Sequence, residues 1–217
     1  MQIVFLFYEG MTALDAVGPH EILCCLPGAT VKRAALQAGI IHTDSDLLLN
    51  AEYALSEVSN ADLLLVPGAS NATTLRKSPE TLAWLRKIHA TTTWTTSVCT
   101  GSLILGAAGI LTGLKATSHW STLDRLSALG AQAVSKRVVE DGKVITAAGV
   151  SAGIDMALIL AAKIAGRKVA ERIQLGIEYD PDPPFDLGSP SKADPTLVKE
   201  LLVRFQTVFE NFDYHIK

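Results

Sequence analysis

Cysteine is scarce in this 217-residue chain: there are three, two of them adjacent as Cys24-Cys25. Three thiols cannot build a disulfide framework, so the expectation is a protein of a reducing, cytoplasmic compartment. Basic clusters are also few, and the formal net charge of −3 argues against a nucleic-acid surface. No apolar run continues for the roughly 20 residues that cross a bilayer before Gly, Asp or Lys interrupts it. The opening Met1-Gln2-Ile3-Val4-Phe5 lacks the basic stretch and small-residue cleavage site of a secretory signal. Phosphate-loop and dinucleotide fingerprints are absent. No Cys, His and carboxylate set has metal-ligand spacing, so neither metal nor cofactor is expected. Disorder is excluded too: 48% of residues are apolar and 19% charged. The length suits one domain over 1–217 with a large core.

What is present alternates between strand-like and helix-like segments. Gln2–Phe7 is a continuous apolar run, as in a buried parallel strand. Leu14, Val17, Ile22 and Leu23 then recur at helical spacing, with Gly18-Pro19 among them. A proline is tolerated in a first turn, which predicts that this helix begins near Pro19 and places Cys24 and Cys25 in the core. Strands are expected over Val31–Leu36, Ile40–Leu49 (a hairpin or edge), Asp62–Val66 and Trp94–Val98. Helices are expected over Pro79–His89, from near Thr100 and over Ser121–Leu129, and Gly149-Val150-Ser151-Ala152-Gly153 opens a long helix reaching about Ala165. A short strand is read near Lys115–Thr117. Ala133–Val139 pairs with Lys143–Ala147 across Asp141-Gly142, a hairpin turn signal. Lys168–Tyr179 reads as a helix, Asp180–Pro190 as a Pro-rich loop, and about 195–213 as a C-terminal helix. The fold class is α/β: a doubly wound, mostly parallel sheet with helices on both faces.

In such a sheet ligands bind beyond the carboxyl ends of the strands. Four segments converge there: the loop carrying Asp15, the turn Pro67-Gly68-Ala69, the turn Cys99-Thr100, and Gly149-Val150-Ser151. A strand ending in Cys99 before a helix of small residues presents the thiol outward, with helix amides beneath it that favour thiolate. A buried structural cysteine is the bland alternative. Asp15 is either a helix N-cap or a proton-transferring carboxyl beside that thiol. Glu9, in the same loop, is the rival carboxylate. Amides of Gly68 and Ala69, with that of Thr100, are candidates for an anion-stabilising hole. The Thr100 hydroxyl either caps its helix or faces a substrate. His119, starting a helix beside Trp120, is a second-tier candidate base. His20, His42, His89 and His215 have only surface or core readings.

These segments together resemble the ThiJ/PfpI superfamily, flavodoxin-like proteins related to class I glutamine amidotransferase domains. The matching nucleophile elbow is Ser97-Val98-Cys99-Thr100-Gly101, and Pro67-Gly68-Ala69 is similar to the superfamily's Pro-Gly-Gly turn. A closer likeness, to its isocyanide-hydrating branch, is carried by Ala13-Leu14-Asp15-Ala16-Val17-Gly18-Pro19, Thr117-Ser118-His119-Trp120, Ile145 to Asp155, and Glu178 to Phe185. This branch carries an aspartate where many relatives have a glutamate, and Asp15 matches it. The resemblance implies an isocyanide hydratase-like lyase forming an N-formamide through a Cys99 thioimidate. Asp15 would exchange protons with the substrate nitrogen and with water, Thr100 would hold substrate or water, and Val150 would pack beside the thiol. It also implies a small-molecule substrate and a homodimer. A glyoxalase-like activity, which usually relies on glutamate, and a thiol-based redox or ligand sensor are the competing readings.

Overall fold

The computed structural model describes residues 1–70 and 73–214; His215 lies outside them. In chain order the strands and helices are β1 (Gln2–Leu6), α1 (Ala13–Leu23), β2 (Thr30–Ala35), β3 (Gly39–His42), β4 (Leu48–Ala51), β5 (Tyr53–Ala54), β6 (Leu63–Val66), α2 (Thr73–Arg76), α3 (Pro79–Thr91) and β7 (Trp94–Val98). They continue as α4 (Gly101–Ala107), β8 (Lys115–Ala116), α5 (Leu123–Ala128), β9 (Gln132–Ala133), β10 (Val138–Asp141), β11 (Val144–Ala147), α6 (Ala152–Ala165), α7 (Arg167–Gly176) and α8 (Pro195–Tyr214).

Seven strands form the main sheet in the order β10-β11-β7-β6-β1-β2-β5, parallel except at the β10–β11 edge. The middle strands are apolar throughout because helices cover both of their faces: Ile3–Leu6 and Leu63–Val66 are all buried. From β1 the chain crosses over to β2 on one side, whereas from β6 it crosses to β7 on the other. Right-handed crossovers in opposite directions lie on opposite faces, so α1 and α3 are separated by the sheet. The crevice between β1 and β6 is where the winding reverses, and a doubly wound sheet binds its ligands there. Two ties close that crevice at its carboxyl end: a bridge between Met11 and Ala69, and the Thr12 amide donating to the Gly68 carbonyl at 2.8 Å.

The structure corrects four expectations. Helix α1 begins at Ala13 and carries Pro19 in its interior, so Asp15 sits in its first turn. The buried Pro19 ring lies against α6, near enough that a Cβ on Gly153 would stand 3.0 Å from its Cγ. Cys24 and Cys25 are exposed, because the chain is pinned inward by buried Leu23 and Leu26 on either side of them. The stretch 133–139 is divided: Ala133 belongs to β9, paired in parallel with β8, and only β10 joins the hairpin with β11. The helix expected to reach Tyr179 ends at Gly176.

Helices α1 and α6 approach closely through paired glycines. A Cβ on Gly18 would meet Ile154 at 2.9 Å, and one on Gly153 would meet Val98 at 2.9 Å. Gly153→Ala is expected to destabilise the protein by about 1–3 kcal/mol through overpacking. Gly176→Ala, with nothing within 4 Å of its Cβ, is expected to stabilise by about 0.5–1 kcal/mol. Urea unfolding of the two variants beside the parent checks both signs.

Candidate active site

The loops after β1, β6, β7 and β11, four adjacent strands, meet at one end of the sheet. Cys99 follows β7 with φ 57°, a left-handed conformation that costs a non-glycine residue about 1 kcal/mol or more. Several hydrogen bonds hold it there. Its amide donates to the carbonyls of Ala147 and Ala148 at 3.1 and 2.9 Å, and its carbonyl accepts from the Ser102 and Ser118 hydroxyls, both at 3.2 Å. Two residues on, position 101 must be glycine, since a Cβ on Gly101 would collide with the Val66 carbonyl oxygen. Val150, after β11, has φ 31° and turns its amide toward the Cys99 sulfur.

Asp15 is fully buried, and its Oδ2 accepts from the Gly68 amide at 2.8 Å. Its Oδ1 is buried without a hydrogen-bond partner among the described residues. Gly68 lies so close to both groups that a Cβ there would meet the Thr100 amide at 2.6 Å and Asp15 Oδ2 at 2.9 Å. The Ala69 amide donates to Thr100 Oγ1 at 2.9 Å, and that hydroxyl is 2.8 Å from the Ala69 carbonyl and also faces the Cys99 sulfur.

These bonds redistribute the roles expected of the turn. The Gly68 and Ala69 amides are taken up by Asp15 and Thr100, so an anion hole built from them is not what the geometry provides. The donors aimed at the sulfur are the Val150 and Thr100 amides; the Thr100 hydroxyl, whose proton goes to the Ala69 carbonyl, lies beside it. That hydroxyl makes no bond capping α4, and it is engaged within the protein rather than held out to a ligand.

Electrostatics bear on a second expectation. Burial pushes the Cys99 thiol well above its usual value, and the Asp15 charge adds to the effect. The Val150 and Thr100 donors only partly oppose them. These surroundings disfavour the thiolate that its place before a helix favours. Burial also raises Asp15 to about 7, against the Gly68 hydrogen bond, with a further push from Asp44 and an opposing pull from the Cys99 thiol. The proton is held by a coupled pair.

Three neighbours of this pair escaped the sequence reading. Tyr8, buried at the end of β1, donates to the Pro67 carbonyl at 2.9 Å and feels the charges of Asp15 and Cys99. Asp44, from the β3–β4 connection, accepts from the hydroxyls of Thr12 and Ser70 at 2.6 and 3.0 Å. Ser118 reaches the Cys99 carbonyl, whereas His119 beside it does not bond to Cys99. Tyr8 was legible as the polar end of an apolar strand; Asp44 and Ser118 gave no local signal. Glu9 turns away, accepting from the His42 amide at 3.1 Å. His119 pairs its Nδ1 with Ser121 Oγ at 2.8 Å and packs against Trp120, Phe205 and Gly149. Burial lowers its pKa. A cavity of about 640 Å³ is lined by His119, Trp120, Ser118, Gly149 and Val150 and by Leu14, the chain neighbour of Asp15.

Among the described residues no group of three or more His, Cys, Asp or Glu side chains could hold a metal ion, and no helix is long and apolar enough to cross a membrane. Tyr179 donates to Asp155 of α6 at 2.7 Å, and Asp155 is paired with Arg137, which lines the same cavity.

A buried Cys and Asp at the switch point of a flavodoxin-like sheet define the class, and the DJ-1/PfpI family model matches residues 1–163: the chain belongs to that family. It is similar to the isonitrile hydratase of Pseudomonas putida, 40% identical over 200 residues, 92% of this chain and 88% of that protein. A crystal structure of a ThiJ/PfpI family protein from Pseudomonas syringae superposes with a TM-score of 0.91 at 40% identity, over 95% of this chain and 88% of that one. Drosophila melanogaster DJ-1beta shares the fold, with a TM-score of 0.73 at 21% identity over 82% of this chain and 97% of its own.

The raised Asp15 has a sign that can be measured. The folded protein retains a proton on Asp15 between its ordinary 3.8 and about 7, where the unfolded chain has released it. Stability from this group is therefore full below pH 4 and is lost as pH rises through 7. Across that window the loss is on the order of 4 kcal/mol. Urea unfolding of the parent and Asp15→Asn from pH 4.5 to 7.5 should show the difference between them changing in that direction.

Proposed function

We propose that this protein is a cysteine-dependent isocyanide hydratase, adding water to R–N≡C to give the N-formamide. The observation that carries the reading is the buried, unpartnered Oδ1 of Asp15 beside the buried Cys99 thiol. The likeness to a curated isonitrile hydratase over most of the chain supports it.

In this mechanism the strained Cys99 turn acts as a nucleophile elbow. The Asp15 carboxylate takes the thiol proton as sulfur attacks the terminal isocyanide carbon. The amides of Val150 and Thr100 stabilise charge developing on the sulfur. Asp15 returns the proton to that carbon, leaving a thioimidate, S–CH=N–R. Water then adds to the same carbon, losing a proton to Asp15, which passes it to nitrogen. Collapse of the adduct expels the sulfur and releases HC(=O)–NH–R, and the hydroxyl proton restores the Cys99 thiol. Thr100 and Gly68 position the pair through Ala69 and Asp15. Val150 and Gly149 shape the cavity that accepts the nitrogen substituent, and His119 forms its aromatic wall. No metal or redox cofactor is needed for these steps.

A single domain and a cytoplasmic homodimer belong to the same reading. The three free cysteines support a reducing compartment. The exposed side chains of Leu36, Ile40 and Leu48, on and near the β3–β4 hairpin, support self-association.

Incubating the protein with an aryl and an alkyl isocyanide and following formamide tests the chemistry. Cys99→Ala should abolish turnover, and Asp15→Asn should lower kcat/KM by about 10²-fold or more. His119→Ala should lose far less. In the parent, kcat/KM should rise with pH through about 7 as Asp15 becomes the competent base. The absence of Cys99-dependent formamide from either substrate removes this reading.

A further inference from the structure

Cys24 and Cys25 were expected in the core and are instead exposed, as a vicinal pair at the end of α1. Four features distinguish them from incidental surface thiols. Their sulfurs stand 4.0 Å apart and both point at the Glu21 carbonyl, at 3.7 and 3.3 Å. Buried Leu23 and Leu26 anchor the chain on either side, and the Cys24 and Cys25 amides donate to His20 and Ile22 carbonyls at 3.0 and 3.2 Å. The pair is therefore held with little freedom to separate. It also sits at the carbonyl end of a helix, where the partial negative charge favours a cation and disfavours a bare thiolate. The Arg33 guanidinium, 2.9 Å from His20 and paired with Glu52, interacts electrostatically with Cys24 and can offset added negative charge.

We propose that Cys24 and Cys25 form a surface dithiolate site for one soft monovalent cation of the Cu(I) type. Thiolate–metal bonds of about 2.3 Å place two sulfurs about 3.8 Å apart at a tetrahedral angle and about 4.6 Å apart in a linear arrangement. The 4.0 Å separation falls between these limits, so a cation can bridge the pair without moving the backbone. A disulfide would instead need the sulfurs about 2.05 Å apart and Cβ atoms about 3.8 Å apart. Soft two-thiolate sites select Cu(I), which accepts two-coordination. Two thiols and one M⁺ give an S–M–S unit of charge −1 and two released protons; the metal does not change oxidation state. Helix α1 separates this pair from Asp15 by nine residues, about 13 Å of helical rise, and Cys99 is buried elsewhere.

The test is an anaerobic titration in which the protein competes for Cu(I) held by bicinchoninate. The parent and Cys99→Ser should each withdraw one Cu(I) per chain with the same affinity. Cys24→Ser and Cys25→Ser should each bind at least about 100-fold more weakly, because the second thiol contributes as a tethered ligand. Unchanged far-UV circular dichroism and thermal unfolding would show that both variants fold. The proposal is overturned if the parent withdraws no Cu(I), if either single variant binds as the parent does, or if Cys99→Ser loses the ion. One Cu(I) per two chains with metal-dependent cross-linking in sedimentation would also overturn it.

Discussion

The bond from the Gly68 amide to Asp15 Oδ2, 2.8 Å long and fully buried, is the constraint on which the rest of the site depends. It joins the first turn of α1 to the loop after β6 across the crevice where the sheet winding reverses. With it the carboxyl has one oxygen fixed and the other free. Without it the carboxyl would lose its backbone donor, and burial would push it up further. The same turn continues through Ala69 to Thr100, whose hydroxyl reaches the Cys99 sulfur. One chain of short polar contacts thus sets the relative positions of acid, turn and thiol.

That arrangement works because backbone atoms can approach one another. Gly68 and Gly101 leave no space for a Cβ, and the clashes would be with backbone and with the carboxyl itself. Cys99 tolerates its positive φ because its amide and carbonyl are both fully engaged. The strain sits at the residue with the reactive atom, while the hydrogen bonds that oppose it come from β11, α4 and the segment before His119.

Much of this was legible in the sequence, and the exceptions have identifiable causes. Apolar runs of strand length and the small residues after Cys99 located the parallel sheet and the turn. The convergence of Asp15, Gly68, Cys99 and Val150 followed from topology alone. Sequence could not reveal which donors a buried carboxyl and a hydroxyl would consume, so the Gly68 and Ala69 amides were assigned to a ligand. Dipole reasoning favoured a thiolate at Cys99, whereas burial and a neighbouring carboxyl push the thiol the other way. Proline propensity placed the start of α1 too late, since packing against Gly153 overrides one missing hydrogen bond. The cysteines at 24–25 were read from the apolar helical stretch around them, when the flanking leucines decide which way the chain faces.

Burial at Asp15 therefore has two consequences that cannot be separated. It removes stability as pH approaches neutrality, because the folded chain must accept a charge it solvates poorly. It also brings the carboxyl to a strength suited to both halves of the hydration. A carboxyl at its ordinary value would be a weak base toward a buried thiol and a poor reservoir of protons at pH 7. Raised to about 7, it can take a proton from sulfur and give one to substrate within a single turnover. Cys99 needs that partner because its own surroundings favour the thiol. The Val150 and Thr100 donors then matter most when sulfur is losing its proton, since they act on charge that is absent in the resting state.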